Sequence, residues 1–90
     1  MLQFDLFGGS VALANVVAGF RAALERPELE LTLATPLEEI EGWDSMWHVA
    51  VMVELESRFG LTLEPHEIEA VQTVGDVVRL IGARRALDAA

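Results

Sequence analysis

Gly42-Trp43-Asp44-Ser45-Met46 opens the stretch that decides the fold, and Arg58-Phe59-Gly60 closes it. Asp44 and Ser45 each suit a helix N-cap, because a short side-chain oxygen can accept from the N–H groups a first turn leaves free. Gly60 is a natural stop, since glycine adopts the left-handed conformation in which many helices end. The spacing therefore predicts a helix from Asp44 or Ser45 to Phe59. At about 100° per residue, Val51, Met52, Leu55 and Phe59 gather on one side, while Met46, Val49, Ala50 and Val53 gather nearly opposite. Glu54 and Arg58 separate the two groups on one flank, with Trp47 projecting near them, and Glu56 separates them on the other. A surface helix needs one apolar stripe. Two stripes imply burial from both sides, or an exposed patch kept for a partner or ligand.

Upstream, Leu13, Val16, Val17, Phe20 and Leu24 form an amphipathic stripe at i, i+3, i+4, i+7 and i+11, predicting a helix from a Ser10 cap to Glu25 or Arg26, stopped by Pro27. The connection from Pro27 to Trp43 is long and structureless, which in a small domain is uncommon and often functional. Glu30 to Leu33 alternates like a strand but has no evident partner, so it reads as loop, with Leu29, Leu31, Leu33, Leu37 and Ile40 expected to pin it to the core. Downstream, Pro65 introduces a short helical turn over His66–Ala70. A last helix follows Thr73, with Asp76 three residues on in capping-box spacing. Val74, Val77, Val78 and Ile81 supply its stripe, and Arg84-Arg85 is read as complementing its C-terminal dipole. The architecture expected is all-α: a small four-helix bundle of three main helices and one short third helix, with a long first loop, in one domain spanning 1–90 (core about 10–85).

Composition bounds what such a bundle does. The 90 residues are 52% hydrophobic, which argues against disorder. Six arginines, with no lysine, oppose fifteen acids for a net charge of −9, so neither nucleic acid nor an anionic lipid surface is an expected partner. Most of that charge is local: residues 38–69 hold nine acids against one Arg. The ordinary account of such a run is a solvated helical surface; the alternative is a field that steers a basic partner. The absence of cysteine excludes disulfides, thiolate metal sites and cysteine nucleophiles. Leu6–Phe20 is uncharged, but no base precedes Arg21 and Asp5 sits where a signal peptide would be positive, so secretion is not expected. Its 15 residues are too few to span a bilayer. A cytoplasmic location is the expectation.

For chemistry, Ser45 is the residue of interest. Asp-Ser before an apolar run is most often only a cap, yet a serine at a helix N-terminus also meets free N–H groups and a dipole that favour an attached phosphodiester. No catalytic triad is indicated, because His48 shares the helix with Ser45. His48 and His66 lack the i, i+4 spacing of a metal pair, so no metal site is expected; His48 reads as bordering the core and His66 as exposed. Glu38, Glu39 and Glu41 could in principle do acid–base work but read as a solvated loop.

Taken together, these residues resemble the acyl carrier proteins and their peptidyl and aminoacyl relatives. The likeness runs over roughly residues 10–85: the first amphipathic helix, the loop ending in Leu37–Ile40, Gly42 to Met46, Glu54-Leu55-Glu56-Ser57-Arg58-Phe59-Gly60, Glu67-Ile68 and Thr73-Val74-Gly75-Asp76-Val77-Val78. The resemblance implies that Ser45 would carry 4′-phosphopantetheine delivered from coenzyme A by a separate Mg²⁺-dependent phosphopantetheinyl transferase, with Asp44 as the second cofactor-site residue, placed to help hold that transferase's metal ion. The arm's thiol would hold an acyl or aminoacyl cargo as a thioester, and the protein, a stand-alone carrier, would catalyse nothing itself. A carrier must expose its serine and docking helix, which implies a monomer.

Some positions depart from the fatty-acid-synthesis type. Met46 stands where that type usually has Leu, and Trp47, Ala50, Val53 and Ser57 occupy much of a face that is more acidic there. The docking set expected here is Met46, Trp47, Val49, Ala50, Val53 and Glu54. It points to an adenylating ligase or other acyl- or aminoacyl-loading enzyme, and a downstream synthase or transferase, of a specialised pathway. The competing reading is a small acidic interaction module in which Ser45 serves only as a helix cap.

Overall fold

The computed structural model describes residues 12–89. These residues form four α-helices, α1 (Leu13–Leu24), α2 (Ser45–Phe59), α3 (Pro65–Ala70) and α4 (Val74–Ala89), with a 3₁₀ turn at Leu37–Glu39. No strand forms among the described residues; one isolated bridge joins Pro36 to Thr73.

The core is built from one stripe of each long helix. Val16, Phe20 and Leu24 of α1 meet Val51, Met52 and Leu55 of α2 and Val74, Val77 and Ile81 of α4, with Leu37, Ile40, Leu61, Leu63 and Val71 closing it from the connections. Each such side chain contributes roughly 1.5–3 kcal/mol on leaving water. Gly19 lets α1 approach α2, because a Cβ at that position would overlap the Leu55 side chain.

Boundaries follow local chemistry. α1 begins at Leu13 with Ala12 as its cap; the Ser10 cap expected from the sequence lies outside the described residues. It ends before Pro27, where Glu25 turns left-handed (φ 57°) and the Arg26 N–H returns to the Arg21 carbonyl. Gly60 takes the left-handed position that closes α2. α3 starts one residue earlier than expected, with Pro65 as its first residue and a reciprocal capping box between Glu64 and Glu67. At α4 the Thr73 hydroxyl accepts from the Asp76 N–H, and the Asp76 carboxylate accepts from the N–H groups of Thr73 and Gln72.

Two expectations need correction. Leu33 does not anchor the first loop by its side chain, which is 51% exposed. The loop is tied by its backbone instead: the Leu33, Thr35 and Gln72 carbonyls accept from Gly75, Val74 and Leu37, so residues 33–37 lie against the start of α4. A Cβ on Gly75 would sit 2.8 Å from the Leu33 carbonyl oxygen, which explains the glycine. The Arg84-Arg85 pair does not serve the α4 dipole either, because the helix continues to Ala89 and has no base in its last turn. Arg84 instead pairs with Glu67 of α3 at 2.9 Å, and Arg85 lies 5.8 Å over the Phe59 ring.

Two carboxylates have their charged forms favoured by the fold. The Glu64 N–H and then the Arg84 guanidinium hold Glu67 below the usual carboxylate range. The N–H groups of Gln72 and Thr73, then Arg79, do the same for Asp76. A depressed folded pKa stabilises above the unfolded value, and that contribution is lost as pH falls through the folded one. The melting temperature is therefore expected to fall as pH drops below the ordinary carboxylate range. Glu67→Gln and Asp76→Asn should each flatten that dependence; a wild-type slope in both variants would refute the assignment.

Candidate functional site

The site develops around the N-terminus of α2. Asp44 is its N-cap, in extended conformation, and its Oδ1 accepts from the Trp47 N–H at 2.9 Å. Of the two residues the sequence left open as caps, Asp44 does the capping. Ser45 is the first helical residue and is exposed, so its hydroxyl is not spent on the cap. The N–H groups of Ser45 and Met46 have no acceptor within the helix.

The approach to Ser45 is held from α1. Arg26 donates through Nη2 to the Glu41 carbonyl at 2.5 Å, just before Gly42, whose φ of +82° lies in the left-handed region. Arg21 likewise donates through Nε to the Leu29 carbonyl at 2.7 Å. The Trp43 ring stacks on Phe20, with centroids 6.0 Å apart, so Phe20 links the core to the residue two before Ser45. His48 meets Trp43 edge-on at 5.7 Å, and its Nε2 donates to the Ile68 carbonyl of α3 at 2.6 Å. Neither the Arg26 grip nor the His48 tie was foreseen; both join residues 15 or more apart, and no local pattern announces such pairs.

Beside Ser45 lies an open groove of about 460 Å³ between α2 and α3. Trp43, Val49 and Ile68 give it an apolar lining, and Glu38, Asp44 and Glu69 place carboxylates around it. Along α2 from the serine, Met46 is 70% exposed, Val49 51% and Val53 52%; Trp47 is exposed and Ala50 half-buried. Glu54 is half-buried and pairs with Arg58 at 3.3 Å. Of the first stripe, Val51, Met52 and Leu55 are fully buried and Phe59 half-buried, whereas Met46, Val49 and Val53 of the second form an uncovered apolar face. Glu38, Glu39 and Glu41, ahead of the serine, are exposed, as is His66.

The six arginines of the chain are all engaged internally: Arg21 and Arg26 on loop carbonyls, Arg58, Arg79 and Arg84 on carboxylates, and Arg85 on Phe59. Of the acids from Glu38 to Glu69, Glu54 and Glu67 are thus paired with arginines, whereas Glu38, Glu39, Glu41, Asp44, Glu64 and Glu69 are exposed and meet none. Among the described residues no three His, Asp or Glu side chains gather as a metal site, and no helix is long and apolar enough to cross a membrane.

The site thus combines an exposed hydroxyl at a helix N-terminus, a groove with apolar lining beside it, and a His48 committed to a backbone carbonyl. Comparison with known proteins supplies the class. Residues 14–81 match the family described as phosphopantetheine attachment site. The chain is 32% identical over 69 residues to an acyl carrier protein of Exiguobacterium sibiricum, covering 77% of this chain and 87% of that one. It superposes with a TM-score of 0.76 on the solution NMR structure of holo acyl carrier protein from Geobacter metallireducens, at 26% identity, covering 84% of this chain and 87% of that one. The chain belongs to the acyl carrier protein family, whose members are non-catalytic carriers with a covalently bound 4′-phosphopantetheine.

Proposed function

We propose that Ser45 is the attachment point of 4′-phosphopantetheine and that the chain presents an acyl or aminoacyl thioester to the partners of a specialised pathway. The observation that carries this reading is the exposed Ser45 at the start of α2, beside an open groove and with its neighbour Asp44 doing the capping. The residues fit the group: unpaired first-turn N–H groups and the positive end of the dipole favour a phosphodiester on Ser45. The groove offers Trp43, Val49 and Ile68 to the arm. When bound, the group supplies the thiol that carries cargo. The chain's own part is to hold Ser45 outward and raise the effective concentration of that cargo for its partners. Mass spectrometry after incubation with coenzyme A, Mg²⁺ and a broad-specificity phosphopantetheinyl transferase tests this: the protein should gain one phosphopantetheine group, and no gain would refute the reading.

The partner set follows from the face of α2. Met46, Trp47, Val49, Ala50 and Val53, bordered by Glu54, offer apolar contact, while the outward acids from Glu38 to Glu69 steer basic partners. Such a face suits the transferase, a dedicated adenylating or loading enzyme and a downstream synthase better than a purely charge-read interface does. Val53→Glu should weaken loading by the cognate ligase about tenfold, the effect of about 1.4 kcal/mol at an interface. The fold should survive, because Val53 is exposed. Wild-type loading kinetics in this variant and in Trp47→Glu would remove the docking role.

A reading as an interaction module with Ser45 as a mere cap is disfavoured by the cap itself, which is Asp44.

A further inference from the structure

α3 has an unusual support. It is six residues long and contains no buried residue, so packing alone holds it weakly. Two polar ties do the rest. On one side Arg84 of α4 donates to Glu67; on the other His48 of α2 donates to the Ile68 carbonyl. Among the described residues the His48 bond is the only hydrogen bond between α2 and α3. Ile68 and Glu69 are the α3 wall of the groove whose opposite wall holds Ser45 and Val49.

The imidazole is itself fixed in place. Trp43 meets it edge-on, and Trp43 rests on Phe20, so the ring is referenced to α1 and the core. It also lines a second cavity of about 330 Å³, where Trp43, Val71 and Thr73 are further walls. His48, Trp43 and Glu38 are common to both spaces, so the ring borders each of them. Because the acceptor is a carbonyl, Nε2 carries the hydrogen, which both the neutral Nε2–H tautomer and the imidazolium supply.

We infer that His48 is a positioning residue for modification of this carrier: it sets the α3 wall of the Ser45 groove so that the transferase meets one formed surface. This rests on the proposal that Ser45 is the modified serine. Losing the tie leaves α3 in the competent position only part of the time, and apparent affinity falls by that fraction. The chemistry at Ser45 Oγ is untouched once the complex forms.

The test is steady-state transfer of phosphopantetheine from coenzyme A to the full chain, comparing wild type, His48→Leu and His48→Gln. Leu keeps apolar packing against Trp43 without a donor, and Gln places an N–H near the Nε2 position. His48→Leu should raise KM for the carrier about fivefold, the weight of one net hydrogen bond, with kcat unchanged. His48→Gln should return KM to within about twofold of wild type, and amide exchange at α3 should quicken in the Leu variant alone. Wild-type KM in His48→Leu, or equal impairment in both variants, would overturn the inference. If His48→Leu fails to fold, His48→Gln decides, since a fivefold rise there also overturns it. No modification of the wild type would instead strike the attachment proposal itself, so the two failures are distinguishable.

Discussion

Ser45→Ala, treated with coenzyme A, Mg²⁺ and a phosphopantetheinyl transferase, is expected to show no mass gain while its helical spectrum and melting temperature stay close to wild type. The two halves of that result have separate causes. Loss of the gain follows because the acceptor oxygen is gone. Retention of the fold follows because Asp44, not Ser45, satisfies the first turn of α2, and because Ser45 is exposed. Surface changes of this kind fall within about 0.5 kcal/mol, and alanine is the better helix former. Asp44→Ala is the informative contrast: it leaves the Trp47 N–H without its acceptor and should cost about 1 kcal/mol while leaving the serine in place. Ser57→Ala, on the exposed side of the same helix, should keep the full gain. A gain surviving in Ser45→Ala would move the attachment elsewhere, and a gain lost in Ser57→Ala would do the same.

The helices were legible because their signals are local. Asp44 and Gly60 bracket α2, Thr73 and Asp76 cap α4, and the α1 stripe repeats at helical spacing; each is a matter of a few neighbouring residues. The two-sided character of α2 was legible for the same reason, although the sequence left open whether its second stripe is covered. Only the packed chain shows that Met46, Val49 and Val53 stay exposed. What escaped was non-local and mostly backbone. Leu33 looked like a core anchor because leucine usually is one, yet its contribution is a carbonyl aimed at Gly75. Arg84 looked like a dipole partner because it seemed near a helix end, but the helix continues and the guanidinium crosses to α3. Arg26 and His48 grip carbonyls 15 and 20 residues away, and a carbonyl has no side-chain identity to read.

The largest stability loss expected from a single core change is at Phe20. This side chain is fully buried and stacks on Trp43 at an interplanar angle of 22°. Truncation of a buried phenylalanine costs about 3–5 kcal/mol, the transfer term plus the cavity left behind. A domain of this size is held by roughly 0.05–0.15 kcal/mol per residue, so Phe20→Ala removes a large part of the total. Its melting temperature should fall on the order of 15–30 °C, at about 4–8 °C per kcal/mol. Phe20→Leu, which keeps most of the volume but not the ring face, should recover more than half of the loss. The site is affected as well as the core, because Trp43 rests on Phe20 on one side and meets His48 on the other. In a Trp47→Phe background Trp43 is the one remaining tryptophan. Its emission should shift to the red in folded Phe20→Leu, as the ring loses its stacked partner and gains water. Modification of Ser45 by the transferase should then show a raised KM well below the melting temperature. An unshifted emission with a normal KM would mean that Trp43 holds its place without Phe20, and that the core does not position the modified turn through this pair.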